Sequence, residues 1–257
     1  MAMVTVTTTG RTRTLAFNRP ERLNAVTEEL YESTTAELVA ADADPAVRAV
    51  ILTGTGRAFC VGADLKAHNS GTRTRRDQQH YLDLGQRVCE QIQTMNTPVI
   101  AAVNGYALGA GAEMAVSADF LVIADDARMG FPEISIGTYV GGGVTHRLPR
   151  LVGLRRATDM LILGHQFTGQ QAAEWGLAHT AVPSESLRDA TLVLAEELAG
   201  KAPLSLARMK AALRRNDSLE VAFDTEPQEL LELMGSRDWA EGVAAFAERR
   251  TPIFEGK

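Results

Sequence analysis

Apolar and polar residues alternate or cluster as strands do over much of the first half of the chain. Residues 3–8 alternate weakly and residues 14–17 are apolar, with Gly10-Arg11 between them, which predicts a β-hairpin. Further apolar runs end at glycine, proline or asparagine and predict buried strands. These runs cover residues 47–53, 58–60, 99–103, 120–124 and 128–131, and residues 177–182 are a candidate edge strand.

Two stripes of apolar side chains at helical spacing separate these strands. The first follows Thr27, a good N-cap residue, and its inner positions are Leu30, Thr34, Leu38 and Ala41. The second consists of Tyr81, Leu84, Val88, Ile92 and Met95. The order strand, strand, helix therefore occurs three times, starting at the N-terminus, near residue 47 and near residue 99.

The pattern becomes almost wholly helical in the last third of the chain. Thr168 and Gln171 fit a capping box that begins a short helix, and Gly176 ends it. Longer helices are predicted over residues 184–200, 203–215, 218–234 and 236–249, and Pro227 is expected to kink or divide the third. We therefore predict a core domain of residues 1–198 and a C-terminal helical oligomerisation region of residues 199–257.

Composition and charge narrow the functional classes. The 257 residues are 45% hydrophobic and 23% charged, which is ordinary for a globular domain. A net charge of −6 disfavours general binding to nucleic acid or to a membrane surface. No apolar run reaches transmembrane length and no signal-peptide pattern is present, so we expect a cytoplasmic protein. Cys60 and Cys89 lack disulfide or metal spacing and are interpreted as small buried residues.

The residues 97–148 contain the candidate chemistry. Small residues from Leu108 to Ala112 precede a predicted helix, with Glu113 in its first turn, and Glu133 follows 20 residues later. Three interpretations are open at this point. The glycines and carboxylates could be purely structural; the segment could bind a dinucleotide, although no GxGxxG motif is present; or the carboxylates could act as acid and base beside helix N–H groups that stabilise an oxyanion.

Several long motifs decide among these interpretations. The sequence contains NRPERLNAV at residues 18–26, AFCVGADLK at 58–66, PVIAAVNGYALGAGAE at 98–113, FPEISIG at 131–137 and EGVAAFAERRTPIF at 241–254. In these motifs the whole chain resembles the crotonase, or enoyl-CoA hydratase/isomerase, superfamily. The resemblance implies an α/β fold, built as a crotonase-like spiral of repeated ββα units with a C-terminal α-helical trimerisation region. It also implies a homotrimer or a dimer of trimers.

The resemblance implies an acyl-CoA thioester as substrate. The backbone N–H groups of Ala63 and Ala110 are then expected to hold the thioester oxygen, although many relatives have glycine at the position of Ala110. Glu133 is expected to transfer a proton at C2 and Glu113 to activate water. The leading hypothesis is an enoyl-CoA hydratase that adds water syn to a 2-enoyl-CoA and gives a 3-hydroxyacyl-CoA.

Other activities remain open. A Δ3,Δ2-enoyl-CoA isomerase and a hydratase of cyclic or branched acyl-CoA are alternatives within the superfamily. A non-catalytic acyl-CoA or nucleic-acid binder is an alternative from another class, and salt-dependent retention on RNA would reveal it. We expect no metal, no cofactor apart from the coenzyme A of the substrate, and no nucleic-acid or membrane partner.

The same resemblance names residues around the substrate. Lys66 and Arg22 are candidate contacts to the phosphates of coenzyme A, and Phe246 and Arg249 are candidates to approach its adenine end from a neighbouring subunit. The sequence departs from the family at residues 138–144, where TYVGGGV stands in place of a TIPGAGG-type word, and the loss of the proline together with Tyr139 and Val144 is expected to reshape the acyl pocket. The remaining substrate-binding candidates, besides the oxyanion residues Ala63 and Ala110, are Ala58, Asp64, Leu65, Gly111 and Tyr139.

Overall fold

Ten strands in two sheets form the centre of the computed structural model, which describes residues 2–65, 73–215 and 217–257. The larger sheet contains, in spatial order, β1 (Val4–Thr9), β2 (Thr12–Phe17), β3 (Ala49–Gly54), β5 (Val99–Val103), β7 (Phe120–Ala124) and β10 (Thr180–Val182). The smaller sheet contains β4 (Ala58–Cys60), β6 (Tyr106–Leu108), β8 (Arg128–Gly130) and β9 (Phe167–Thr168). All strand pairs are parallel except β1 with β2 and β8 with β9.

Nine helices in the described ranges surround these sheets. The helices of the first half are α1 (Glu28–Ala43), α2 (Arg75–Thr94), α3 (Ala110–Ser117) and α4 (Val144–Thr158). The helices of the second half are α5 (Gly169–Glu174), α6 (Leu187–Ala199), α7 (Pro203–Arg215), α8 (Leu219–Met234) and α9 (Arg237–Glu248). None of the described helices combines the length and the apolarity that a membrane-spanning segment needs.

The repeated order strand, strand, helix corresponds to a division of the strands between the two sheets. In the repeats that start with β3 and β5, the first strand joins the larger sheet and the second joins the smaller sheet before a helix returns the chain. β7 and β8 are divided in the same way. The first repeat differs, because β1 and β2 form a hairpin within the larger sheet. Two short strands, β6 and β9, are not revealed by the apolar pattern.

The side chain of Asn104, in the turn that follows β5, links that turn to the turn between β3 and β4. Asn104 Nδ2 donates to the carbonyls of Gly54 at 3.0 Å and Gly56 at 2.8 Å, and the N–H of Gly54 donates to Asn104 Oδ1. A Cβ built on Gly54 would lie 2.1 Å from the carbonyl oxygen of Ala58. The chain can therefore turn from β3 into β4 at this point only with glycine.

The predicted helix signals are confirmed in α1, α2 and α5. Thr27 caps α1 by accepting a hydrogen bond from Leu30 N, and Thr168 and Gln171 form the expected capping box at α5. The apolar stripes of α1 and α2 face the core. The expected division at Pro227 is wrong, because α8 continues through that residue. Pro227 is exposed, so water can satisfy the backbone carbonyl that loses its helical partner.

The C-terminal helices pack more loosely than the core. α6 covers the outer face of the larger sheet with Leu187, Ala195 and Leu198. In contrast, no residue of α7 or α8 is buried. The break between α6, which ends at Ala199, and α7 lies near the boundary predicted from the sequence, which remains a prediction.

Candidate active site

The N-terminus of α3 is pressed against the end of β4. A Cβ built on Gly111 would lie 2.1 Å from the carbonyl oxygen of Cys60, so only glycine fits there. Gly109 precedes the helix with φ +52°, a conformation that favours glycine, and its N–H donates to the carbonyl of Gly130. The small residues of this motif therefore bring β4, β8 and α3 together, which explains their spacing along the sequence.

This contact brings the backbone before Ala63 against Ala110, so the N–H groups of both residues belong to neighbouring segments. Val26 bonds to both neighbours of Ala63, donating to Gly62 O and accepting from Asp64 N, so the N–H of Ala63 points away from Val26. A Cβ built on Gly62 would lie 3.4 Å from the backbone nitrogen of Ala110.

Neither N–H has a hydrogen-bond acceptor among the described residues. Ala110 is the first residue of α3, where a backbone N–H lacks a partner within the helix. Two unpaired donors on neighbouring segments, one of them at a helix N-terminus, suit an oxygen that gains negative charge.

Glu133 lies beside this pair of donors. It belongs to a 3₁₀ turn, Pro132–Ile136, that follows the fully buried Phe131. A Cβ on Gly109 would be 3.0 Å from Glu133 Oε1, while Oε2 is buried with no hydrogen-bond partner among the described atoms. Burial raises the pKa of this carboxyl, so the side chain is suited to carry a proton.

Glu113 lies one turn further along α3. Its Oε1 accepts a hydrogen bond of 2.6 Å from the N–H of Gly141. Burial raises the pKa of Glu113 to about 7; the Gly141 hydrogen bond lowers that pKa, and the charge of Glu133 raises it. The two candidate glutamates of the sequence are thus brought together in one site, and both have the altered acidity that acid–base chemistry uses.

Apart from Glu133, the titratable groups that face Glu113 are neutral. Burial raises the pKa of the Cys60 and Cys89 thiols to about 12, so both stay protonated, as expected for small buried residues. Tyr31 and Tyr81 are also buried, their rings 5.4 Å apart, and burial raises the pKa of both hydroxyls. This neutral surrounding explains why the ionised form of Glu113 is costly.

Two glutamines of α2 hold the backbone next to Glu113. Gln86 Oε1 accepts from the N–H of Gly142 at 3.0 Å, and Gln93 Nε2 donates to the carbonyl of Gly142 at 3.2 Å. Sequence reasoning missed both residues. Their spacing of seven places them on one helix face, but nothing in the sequence shows that residues 141–142 meet that face.

The first group of candidate coenzyme A contacts lies around β4. Asp64 is buried and pairs with Arg19 at 3.3 Å and with Arg22 at 3.8 Å, and the Arg22 side chain is partly exposed. Leu65 is exposed, whereas Ala58 is fully buried and its carbonyl accepts from Asn24 Nδ2. Lys66 lies outside the described residues.

The other candidates are strongly exposed or lie at the end of the last helix. Tyr139 is 77% exposed in the segment before α4. Phe246 is 89% exposed on α9, and Arg249 follows as its C-cap. Neither Phe246 nor Arg249 belongs to the elements that hold Glu113 and Glu133.

Comparison with known proteins identifies the family. The family model for enoyl-CoA hydratase/isomerase matches residues 11–257. The chain belongs to this family. A 2,3-dehydroadipyl-CoA hydratase of Escherichia coli K12 is 37% identical over 261 residues and covers 100% of both chains. A 1,2-epoxyphenylacetyl-CoA isomerase of the same strain is 36% identical and covers 95% of each.

Solved structures agree with this assignment. An enoyl-CoA hydratase from Bacillus anthracis superposes with a TM-score of 0.94 at 32% identity, covering 99% of this chain and 100% of its own. The crotonase-like α/β fold expected from the motifs is thereby confirmed. The protein is an enzyme of the crotonase superfamily with hydratase/isomerase activity towards acyl-CoA, while its relatives differ in the reaction and acyl group that their names state.

Proposed function

We propose that this enzyme hydrates a 2-enoyl-CoA to a 3-hydroxyacyl-CoA. The observation that carries the proposal is that two carboxyl groups whose pKa burial raises, Glu113 and Glu133, lie in one site with the two unpaired N–H groups of Ala63 and Ala110. Hydration needs a base for water, an acid for C2 and a site for the charge that gathers on the thioester oxygen.

The two N–H groups stabilise that charge. As water attacks C3, the electrons of the C2–C3 double bond shift towards the thioester carbonyl and its oxygen becomes an enolate. Ala63 and Ala110 donate to this oxygen through the backbone, so neither needs a polar side chain. Losing one oxyanion donor typically costs about 3 kcal/mol of transition-state stabilisation.

The two glutamates divide the proton transfers. Glu133 Oε1 lies against Gly109, the residue before Ala110, and therefore close to the thioester carbonyl and the adjoining C2. Glu113 lies further along α3, where it takes a proton from the water that attacks C3. Glu133 gives its proton to C2, so one water is added across the double bond, and exchange with solvent restores both carboxyls. A pKa of about 7 lets Glu113 accept and release a proton near neutrality.

Isomerisation of the double bond is the second candidate. One relative at 36% identity is named 1,2-epoxyphenylacetyl-CoA isomerase, and another at 32% is named enoyl-CoA isomerase/hydratase. Moving a double bond transfers a proton between C4 and C2, which one carboxylate can do. The presence of two glutamates in one site favours hydration.

The proposal also includes the residues that bind the coenzyme A part of the substrate and the oligomeric state. Arg22 and Lys66 bind phosphate, and Phe246 and Arg249 approach the adenine end across a subunit boundary. The C-terminal helices carry exposed apolar side chains that fit burial in a homotrimer or in a dimer of trimers. The residues Ala58, Asp64, Leu65, Gly111 and Tyr139 complete the substrate-binding region.

The test is a turnover screen with products identified by mass. The panel contains linear, branched and cyclic 2-enoyl-CoA thioesters, a carboxylate-ended 2-enoyl-CoA because of the dehydroadipyl-CoA relative, and 3-enoyl isomers. Hydration of at least one 2-enoyl thioester, with a mass gain of one water, is expected. If no 2-enoyl thioester gains water while 3-enoyl double bonds migrate, the isomerase replaces the hydratase.

A further inference from the structure

The residues 138–143 join the 3₁₀ turn of Glu133 to α4 without regular secondary structure. This connecting segment is partly exposed, yet it carries Gly141, whose N–H is the only described hydrogen-bond donor to Glu113. The donor that fixes a candidate catalytic carboxyl therefore lies on backbone that neither a helix nor a sheet holds in place.

Each polar backbone group of Gly141 and Gly142 nevertheless has a partner. Gly141 donates to Glu113 Oε1, and its carbonyl accepts from Val144 N at 3.1 Å. Gly142 donates to Gln86 Oε1 at 3.0 Å and accepts from Gln93 Nε2 at 3.2 Å. The two glutamine amides thus bind one peptide residue from both sides, an arrangement we call the glutamine clamp.

Further contacts hold the glutamine clamp in place. Gln93 Nε2 also lies 3.2 Å from the carbonyl of Cys89 and 3.3 Å from Ser117 Oγ, which ties it to α2 and α3. Gly142 is pressed onto α2, because a Cβ built there would be 2.8 Å from Cys89 Sγ. The point where a Cβ of Gly141 would lie is 3.2 Å from Glu113 Oε2 and 3.4 Å from Gln86 Nε2. The Gln86 amide of the clamp and the Glu113 carboxyl therefore both lie close to Gly141.

We propose that Gln86 and Gln93 are positioning residues that hold Gly142 so that the Gly141 N–H stays on Glu113 Oε1. Oε2 of Glu113 is then left to face the water. The mechanistic part of this inference rests on the proposed function, whereas the placement of Glu113 does not. Since both glutamines act through the backbone, they affect catalysis without touching the acyl group.

Loss of the clamp has a predictable electrostatic effect. A hydrogen bond to the carboxylate favours its ionised form, so a weaker Gly141 contact raises the pKa of Glu113 above about 7. The other titratable groups that face Glu113 stay unchanged in the clamp variants. These groups are Glu133, Tyr31, Tyr81, Cys60 and Cys89.

The first experiment measures the acidity of Glu113 without substrate. Gln86→Leu and Gln93→Leu are compared with wild type by infrared titration of the carboxyl band, and Glu113→Gln identifies the band. An upward shift of about one pH unit is expected in both variants. Gln91→Leu is the matched control, because Gln91 lies on α2 and its side chain makes no described bond to the connecting segment. Equal titration in wild type and both clamp variants would overturn the proposal, whether or not the enzyme hydrates enoyl-CoA.

The second experiment tests the route of action by a double-mutant cycle. Gln86→Leu is expected to lower kcat for hydration about 10-fold with little change in KM. In the Glu113→Gln background the same change should cost no further activity, because its target is gone. A loss of equal size in both backgrounds would contradict positioning through Glu113. Thermal unfolding of each variant, compared with Gln91→Leu, separates this effect from loss of the fold.

Discussion

The sheets and the C-terminal helices of this chain use apolar residues in opposite ways. Every residue of β5 is buried, whereas no residue of α7 or α8 is, although α8 carries Leu230 at 60% and Leu231 at 73% exposure. The candidate catalytic groups lie beside the sheets, on α3, on the 3₁₀ turn of Glu133 and on the segment after β4. These candidate groups therefore all come from one chain, while the second region, the C-terminal helices, presents apolar surface that a single chain does not cover.

One partly buried ion pair illustrates how the second region is attached. Lys210 of α7 lies 2.7 Å from Asp119 and also donates to the carbonyls of Ile92 and Thr97. Burial lowers the pKa of Lys210, and the charge of Asp119 opposes that shift. A helix with no buried apolar residue is thus anchored by a directional polar contact, in contrast to the apolar packing of the sheets.

The largest effect is expected from filling the space between β4 and α3. Gly111→Ala puts a Cβ against the backbone of Cys60, which must separate the two N–H groups of the site. We expect a loss of about 3 kcal/mol or more of stability and of most activity. Gly242→Ala in α9 is the matched control, because its Cβ meets only the ring of Phe254 at 3.6 Å. That change should be neutral or stabilise by up to about 1 kcal/mol. Chemical unfolding and turnover measure both, and a harmless Gly111→Ala would refute the close-packing argument.

The next effect concerns assembly. Leu230→Asp with Leu231→Asp places charges on the exposed face of α8, where each buried leucine contributes about 1.5–3 kcal/mol at an interface. Sedimentation velocity at micromolar concentration should show a trimer or hexamer for wild type and a smaller species for the variant. Val39→Asp, at an exposed apolar position of α1, should leave the assembly intact. A monomeric wild type would remove the proposed role of the C-terminal helices.

A somewhat smaller effect is expected on the free energy of unfolding, from the burial of Glu113. Glu113 has a pKa of about 7 when folded and near 4.5 when unfolded, so the folded state binds more protons between these values. The contribution of Glu113 to the stability of the folded protein accordingly decreases as pH rises from about 4.5 to 7. Glu113→Gln should match wild type near pH 4.5 and be more stable at pH 8 by about 2–3 kcal/mol. Urea unfolding at both pH values checks this, and equal stabilities at pH 8 would mean that burial costs Glu113 little.

The smallest effect concerns coenzyme A binding. Lys66→Ala should raise KM for the thioester about 10-fold with little change in kcat, because a phosphate contact far from the reacting carbons binds ground and transition states alike. Lys201→Ala is the control, since the only ion pair of that exposed lysine among the described residues is with Glu197, near the end of α6. Steady-state kinetics separates the two parameters. A loss confined to kcat would argue against a phosphate contact.

Periodicity alone predicted the strands, the main helices and their caps, because apolar spacing and capping residues act locally. The β6 and β9 strands were not predicted, since β9 has only two residues and β6 lies between the Asn104-Gly105 turn and Gly109, where the sequence indicates a turn and a helix start. Glu113 and Glu133 were found through the motifs, whereas Gln86 and Gln93 were not. Their role depends on where residues 138–143 fold back onto α2, which is a tertiary contact without a local signal. Pro227 shows the converse, since an exposed helix can accept a residue that local rules disfavour.

The central claim is that one chain supplies two carboxyl groups with different tasks. Wild type, Glu113→Gln and Glu133→Gln are assayed on 2-enoyl and 3-enoyl thioesters in deuterated water, with deuterium at C2 and added water measured by mass. We expect Glu113→Gln to lose hydration by about 10²-fold or more while keeping much of any double-bond isomerisation, and Glu133→Gln to lose both. Hydration by Glu113→Gln at the wild-type rate would contradict the account.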